Sequence, residues 1–264
     1  MTAEPRRRTT IMGVLNVTPD SFSDGGTHPD ASSAVEAGAQ MFADGATIVD
    51  VGGESTRPGA APVALDVELD RVLDVVAALA TYGRVSIDTR KRDVAMRAVE
   101  AGATVINDVG ATLAPLAGAL GVGYVAMHSV GTPGTMQRDP HYDDVVAEVL
   151  GHVVRVAEAA RAAGATEVWI DPGLGFGKTV AHNYSLLAHI ADFVATGWPV
   201  LVGASRKSFL GRVLAESDGV AEVGFDDRLE GSLAITAWSA MFDVDLVRVH
   251  DVPETLQTLQ VIAA

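Results

Sequence analysis

The stretch "AGATVINDVG", residues Ala101–Gly110, decides the fold. A glycine follows a helix end, an apolar run follows the glycine, and an amide and a carboxylate close the run. The same joint stands at Asp44–Gly53 as "DGATIVDVGG" and at Ala163–Gly173 as "AGATEVWIDPG". Gly45, Gly102 and Gly164 suit the left-handed position that ends a helix. The apolar runs do not alternate strictly with polar residues, which predicts strands buried on both faces.

Extending the joint along the chain gives eight strand candidates: Thr10–Val17, Ile48–Gly52, Val85–Thr89, Val105–Val109, Tyr124–His128, Val168–Asp171, Val200–Ala204 and Leu246–His250. Helical segments lie between them, among them Ser32–Asp44, Ala64–Tyr82, Lys91–Ala101 and Ala181–Thr196. The clearest is Asp143–Ala163, where Val146, Val149, Leu150, Val153, Val156, Ala157 and Ala160 form one apolar stripe. Eight alternations of strand and helix predict an α/β fold, a single-domain (β/α)8 TIM barrel over residues 10–264 behind a short leader of residues 1–9. A doubly wound open sheet is the rival, and eight units rather than five or six favour the barrel.

Composition agrees with a globular chain. Of 264 residues, 48% are hydrophobic and 20% charged, ample for one core. There is no cysteine, which excludes disulfides and thiolate metal sites. A formal net charge of −15 argues against a nucleic-acid-binding surface. Arg6, Arg7 and Arg8 precede no apolar segment long enough for a signal peptide. The weakly polar run Leu113–Val130 is interrupted by Pro115, three glycines and His128, so it reads as a short helix, a loop and a buried strand rather than a membrane span. The expectation is a cytoplasmic protein.

Polar residues collect at the carboxyl ends of the strands: Asn16, Asp50 with Glu54, Asp88, Asn107 with Asp108, His128, Asp171, Ser205 with Arg206 and Lys207, and Arg248 with His250. Any one of them reads equally well as a cap or turn residue. Eight sets together point to the face where barrel active sites lie. No His-x-His or His-Glu-x-x-His spacing occurs, so a built-in zinc or iron site is not expected. Asn16 offers an oxygen to a loosely held Mg²⁺. Arg248 and His250, two apart on one strand, with Asn16 on the neighbouring first strand, suit a phosphate or diphosphate; the alternative pairs Arg248 with Asp251 or another carboxylate for structure alone. Asp171 and Asn107 suit an aminopyrimidinone edge, because a carboxylate accepts two parallel N–H donors and an amide both donates and accepts. Lys207, disfavoured at a helix start by the helix dipole, would donate to a ring carbonyl. Two loops rich in Gly, Pro, Ser and Asp, Thr18–Gly26 and Glu54–Pro62, face the same side and are long enough to close over a ligand.

"IDPGLGFGKT", Ile170–Thr179, ends like a nucleotide phosphate loop. A Walker motif needs a glycine five residues before Gly177, and that position is Pro172. The stretch also opens on Asp171, which would aim a carboxylate at phosphates. Its glycines instead suggest a backbone lying flat beside a planar ligand, with Phe176 in the wall and Lys178 without its phosphate role.

Several longer motifs carry a family resemblance. They are "MGVLNVTPDSFSDGG" from Met12, "DVGGESTRPGA" from Asp50, "SIDT" from Ser86, "VINDV" from Val105, "DPGLGFGKTVAHNYSLL" from Asp171, "VGASRKSFLG" from Val202 and "VRVHDV" from Val247. In this order, and over nearly the whole chain, the sequence resembles bacterial dihydropteroate synthase, the sulfonamide target in folate biosynthesis. The resemblance implies a homodimer with small-molecule substrates. It implies condensation of 6-hydroxymethyl-7,8-dihydropterin diphosphate with 4-aminobenzoate, with Mg²⁺ assisting and a dissociative route through a pterin cation. It implies that Asp88, Asn107, Asp171, Lys207 and Arg248 hold the pterin, with Asp88, Lys207 and Arg248 acting in catalysis. Asn16, Arg248 and His250 would hold the diphosphate, Asn16 also binding the metal. Phe22, Thr56, Arg57, Pro58, Phe176 and Ser208 would surround 4-aminobenzoate. Ser129 and Val130 stand where the family pattern has Met-Gln. Two other readings compete: a pterin-binding methyltransferase, which has no need of the diphosphate residues or the two loops, and a catalytically silent pterin binder.

Overall fold

The structure, a computed structural model, describes residues 8–18, 31–55, 59–131, 134–221 and 223–264. Their strands are β1 (Thr10–Asn16), β2 (Ile48–Gly52), β3 (Arg84–Asp88), β4 (Val105–Asp108), β5 (Gly123–Met127), β6 (Val168–Asp171), β7 (Leu201–Val202) and β8 (Leu246–Val249). The helices are α1 (Ala31–Ala43), α2 (Leu65–Leu79), α3 (Arg92–Glu100), α4 (Ala114–Leu120), α5 (Val145–Ala163), α6 (Val180–Ala188), α7 (Ile190–Ala195), α8 (Ser208–Asp218), α9 (Leu229–Met241) and α10 (Val252–Ala263). Every strand pairing is parallel, in the order β6-β5-β4-β3-β2-β1-β8-β7. A single parallel bridge, Ile170 to Val200, brings β6 to β7 and closes the ring. This is a (β/α)8 barrel, as the eight joints predict.

Each strand has two faces, because successive side chains point to opposite sides. Ile11, Val49, Ile87, Ile106, Ile170 and Val247 pack outward against helical residues such as Val76, Leu79, Val153 and Phe193. Met12, Ile48, Val105, Val125, Trp169, Leu201 and Leu246 fill the interior as a separate cluster. Continuing the interior alternation toward the carboxyl ends reaches Asn16, Asp50, Asp88, Asn107, Asp171 and Arg248. Alternation therefore carries these six polar side chains into the mouth of the barrel.

The helix ends follow the sequence signals. Gly45, Gly102 and Gly164 have φ of 109°, 118° and 109°, where a side chain would be strained. Asp144 caps α5 by accepting from the N–H groups of Val146 and Ala147, each at 3.0 Å. The run Leu113–Val130 resolves into α4, the left-handed Gly121 and the buried β5.

Two expectations change. The helix expected over Ala181–Thr196 breaks at His189 (φ −106°, ψ 21°), whose ring Nδ1, 2.8 Å from the Ser185 carbonyl, shares that carbonyl with the His189 N–H. The strand expected over Val200–Ala204 shrinks to two residues. The Val200 N–H donates to the Asp245 carboxylate at 2.9 Å instead of to the ladder, and Pro199 before it has no N–H.

Candidate active site

Four strands bring one polar cluster together. Arg248, on β8, reaches across the mouth: its Nε donates to Asp50 Oδ2 at 2.6 Å and its guanidinium NH₂ to Asp88 Oδ2 at 2.8 Å. Asn107, on β4, donates through Nδ2 to the same Asp50 oxygen at 2.8 Å. A carboxylate accepts only, so this contact fixes the amide: Nδ2 faces Asp50, and Oδ1 is left as an acceptor for a ligand. Asp50 is 0% exposed, and one oxygen each of Asp50 and Asp88 is buried without a partner. Two carboxylates share one guanidinium, leaving an acceptor-rich cluster. Burial raises the Asp88 carboxyl to about 7; the Arg248 charge pulls it down, and Asp50 pushes it up. Burial works against the Arg248 charge, but the Asp50 and Asp88 carboxylates outweigh it and the guanidinium pKa rises.

Asp171, at the end of β6, accepts from the Gly173 N–H at 2.7 Å and is held above the ordinary carboxylate range by burial, which the Lys207 charge opposes. Gly203 and Gly52 leave room beside these groups. A Cβ on Gly203 would stand 3.8 Å from Asp171 Oδ2 and 3.7 Å from Arg248 Cβ. One on Gly52 would stand 3.8 Å from Asn16 Oδ1 and 3.9 Å from Asp88 Cγ. Lys207, at the start of α8, donates to the Leu174 carbonyl and lies 4.2 Å from the centre of the Phe176 ring. Burial lowers its ammonium to about 8, although Asp171 opposes the shift. His250, just past β8, has its Nδ1 3.0 Å from Ser205 Oγ, and its N–H donates to the same hydroxyl at 3.1 Å. Ser208 is exposed at the first turn of α8. Phe22, Thr56, Arg57 and Pro58 lie outside the described residues.

The other strand-end groups serve structure. Asp108 faces outward and accepts from the N–H groups of Gly110, Thr112 and Leu113 and from the Tyr124 hydroxyl. Glu54 is locked to Arg90 and Lys91, and Glu68 shares Lys91. Asp251 pairs with Arg206, so of the structural alternative for Arg248 it is the other carboxylates, Asp50 and Asp88, that pair with the guanidinium. The glycines of "DPGLGFGK" also read differently. They have φ of 65°, 81° and 63°, and a Cβ on Gly173 would stand 1.9 Å from the His128 carbonyl oxygen. They let the loop lie close against the chain, Gly173 on His128, Gly177 on Val130 and Gly175 on the Lys207 side chain. Asp50, which the sequence places among the strand-end polar residues without a role, proves to hold the cluster, as its alternation with Ile48 would allow.

A closed parallel barrel with buried acceptors, a guanidinium and a lysine at the carboxyl ends of its strands defines an enzyme site for a small, polar, N–H-bearing ligand. The sequence pattern of the pterin binding enzymes matches residues 12–250. The dihydropteroate synthase of Escherichia coli K12 is 47% identical over 262 residues, covering 96% of this chain and 90% of that protein. The solved Yersinia pestis dihydropteroate synthase, in a sulfonamide drug complex, superposes with a TM-score of 0.87 at 42% identity, over 97% of this chain and 93% of that one. The Xanthomonas albilineans dihydropteroate synthase with 4-aminobenzoic acid gives 0.87 at 42% identity, over 96% and 92%. The chain belongs to the pterin-binding enzyme family and, within it, to the dihydropteroate synthases.

Proposed function

We propose that the chain joins 6-hydroxymethyl-7,8-dihydropterin diphosphate to 4-aminobenzoate, forming 7,8-dihydropteroate and diphosphate in folate synthesis. The observation that carries this reading is the fixed amide of Asn107. With its Oδ1 free and Asp171 nearby as a second acceptor, the mouth suits the adjacent ring N–H and NH₂ of a pterin, while Lys207 donates to the ring carbonyl. Arg248 stacks on the pterin and, with Asn16 and His250, takes the diphosphate. Phe176 and Ser208 line the 4-aminobenzoate side, completed by Phe22, Thr56, Arg57 and Pro58.

The bond from the exocyclic CH₂ to the diphosphate oxygen breaks, and the amine nitrogen bonds that carbon and gives up a proton. Leaving first generates a delocalised pterin cation, which the ionised Asp88 stabilises. Asn16 would hold Mg²⁺. Its amide oxygen and the Asp88 carboxyl flank the gap at Gly52, and such oxygens suit a small hard cation. When bound, Mg²⁺ supplies charge neutralisation for the departing diphosphate. The purified chain should release diphosphate only with both substrates and Mg²⁺ present; no release from that complete mixture overturns the assignment.

The same reading includes a homodimer through the last helices. On α9 the polar Ser232, Thr236 and Ser239 point inward, while Trp238 and Met241 are 39% and 54% exposed. Sedimentation equilibrium should show a dimer, converted to monomer by Met241→Glu. A monomeric wild-type chain at micromolar concentration rules the dimer out. Among the described residues, no helix is long and apolar enough to cross a membrane.

A further inference from the structure

Lys178 ends the glycine-rich loop that follows β6, and its side chain turns inward until the residue is 3% exposed. Its ammonium reaches four acceptors: His128 Nδ1 at 3.0 Å and the carbonyls of His128, Gly173 and Phe176 at 3.2, 2.9 and 3.0 Å. An ammonium has three donors, so each finds a partner without a carboxylate in contact. The acceptors come from two segments, the end of β5 and the loop itself, and the loop wraps around the charge.

The rest of the loop is held in the same way. From Gly173 to Gly177 every carbonyl accepts from a side chain: Gly173 and Phe176 from Lys178, Leu174 from Lys207, Gly175 from Gln137 and Gly177 from Tyr142. Phe176 stands between the two lysines, its carbonyl on Lys178 and its ring against Lys207. These bonds to backbone carbonyls fix the course of the loop and so the position from which the Phe176 ring projects against Lys207.

We propose that Lys178 is a positioning residue for the second substrate, holding the loop so that Phe176 is presented against Lys207. The inference rests on the synthase reading, which puts Phe176 beside 4-aminobenzoate. Burial lowers the ammonium to about 7, so the loop is fastened by a charge that is costly to keep. That cost fits a role in presenting Phe176, because an apolar side chain of this length would fill the space without desolvating a charge.

The test compares the wild-type chain with Lys178→Met by steady-state kinetics, varying each substrate separately. The KM for 4-aminobenzoate should rise about tenfold or more, a loss typical of removing a buried charged hydrogen-bond donor. The KM for pterin diphosphate should stay near wild type. Lost folding alone would lower kcat and leave both KM values unchanged, and that outcome overturns the proposal, as does an unchanged 4-aminobenzoate KM. If Lys178→Met is not recovered folded, Lys178→Gln, which is polar but uncharged and one bond too short for these acceptors, takes its place under the same criteria. Hydrogen exchange of ligand-free wild-type chain gives an independent reading: the Gly175 and Phe176 amides should exchange slowly, and exchange at the rate of a free loop contradicts the fastening. A wild-type chain that makes no dihydropteroate instead defeats the synthase reading, and exchange then still decides the fastening.

Discussion

Arg248→Met should abolish most of the activity and a large part of the stability together. The guanidinium bridges Asp50 and Asp88 from the far side of the barrel, at 2.6 and 2.8 Å. Its removal leaves two buried carboxylates facing each other without their cation, a loss of about 3–5 kcal/mol for a broken buried pair. The cheapest relief is for Asp88 to keep its proton, because the Arg248 charge is what now pulls its pKa down. The variant therefore loses the positive charge for the diphosphate and the negative charge for the pterin in one step. Turnover per substrate should fall by about 10²–10³-fold, as when one preorganised donor is deleted. Arg248→Lys should not restore it, since a compact ammonium cannot address two carboxylates with a rigid fork. Adding Asp50→Asn to Arg248→Met should recover stability in urea unfolding, because one orphaned charge is gone, yet leave turnover low. Wild-type turnover in Arg248→Met would remove Arg248 from the mechanism.

This cluster also shows what the sequence carries and what it withholds. Alternation along a strand is a backbone property, so Asp88, Asn107, Asp171 and Arg248 can be assigned to one face from their spacing to interior residues alone. The limits of β2 and β6 and the left-handed glycines Gly45, Gly102 and Gly164 are local signals too. Partner choice is not local. Asp108 has the same chemistry as Asp50 and adjoins Asn107, yet it faces outward and caps a loop, while Asp50 alone holds both Asn107 of β4 and Arg248 of β8. Lys178 looks like a phosphate ligand by its neighbours, and only the folding of the loop onto β5 shows that it binds carbonyls. The break at His189 comes with a ring that shares the Ser185 carbonyl with its own N–H, which helical periodicity does not register.

Asp88→Asn separates charge from shape. The amide keeps an oxygen that can still accept from Arg248, so the guanidinium stays in place while the negative charge is lost. If the carboxylate stabilises a pterin cation, kcat should drop by about 10²-fold, the usual cost of deleting an electrostatic stabiliser. The pH dependence provides a second and sharper test. Burial raises the folded-state pKa from 3.8 to about 7, so wild-type turnover should climb as pH rises through about 7. The Asn variant should lack that limb. Stability should run the other way. Below about pH 4 folded and unfolded chains both hold the proton; between about 4 and 7 only the folded chain does, so wild-type stability falls as pH rises across that window. Thermal unfolding of wild type measured against Asp88→Asn should show a steeper decline in the wild type, since the raised Asp171 carboxyl contributes the same sign in both. The site thus holds Asp88 ionised for chemistry at the expense of the fold. A variant that turned over at the wild-type rate, or kept the limb near pH 7, would assign the charge to another group.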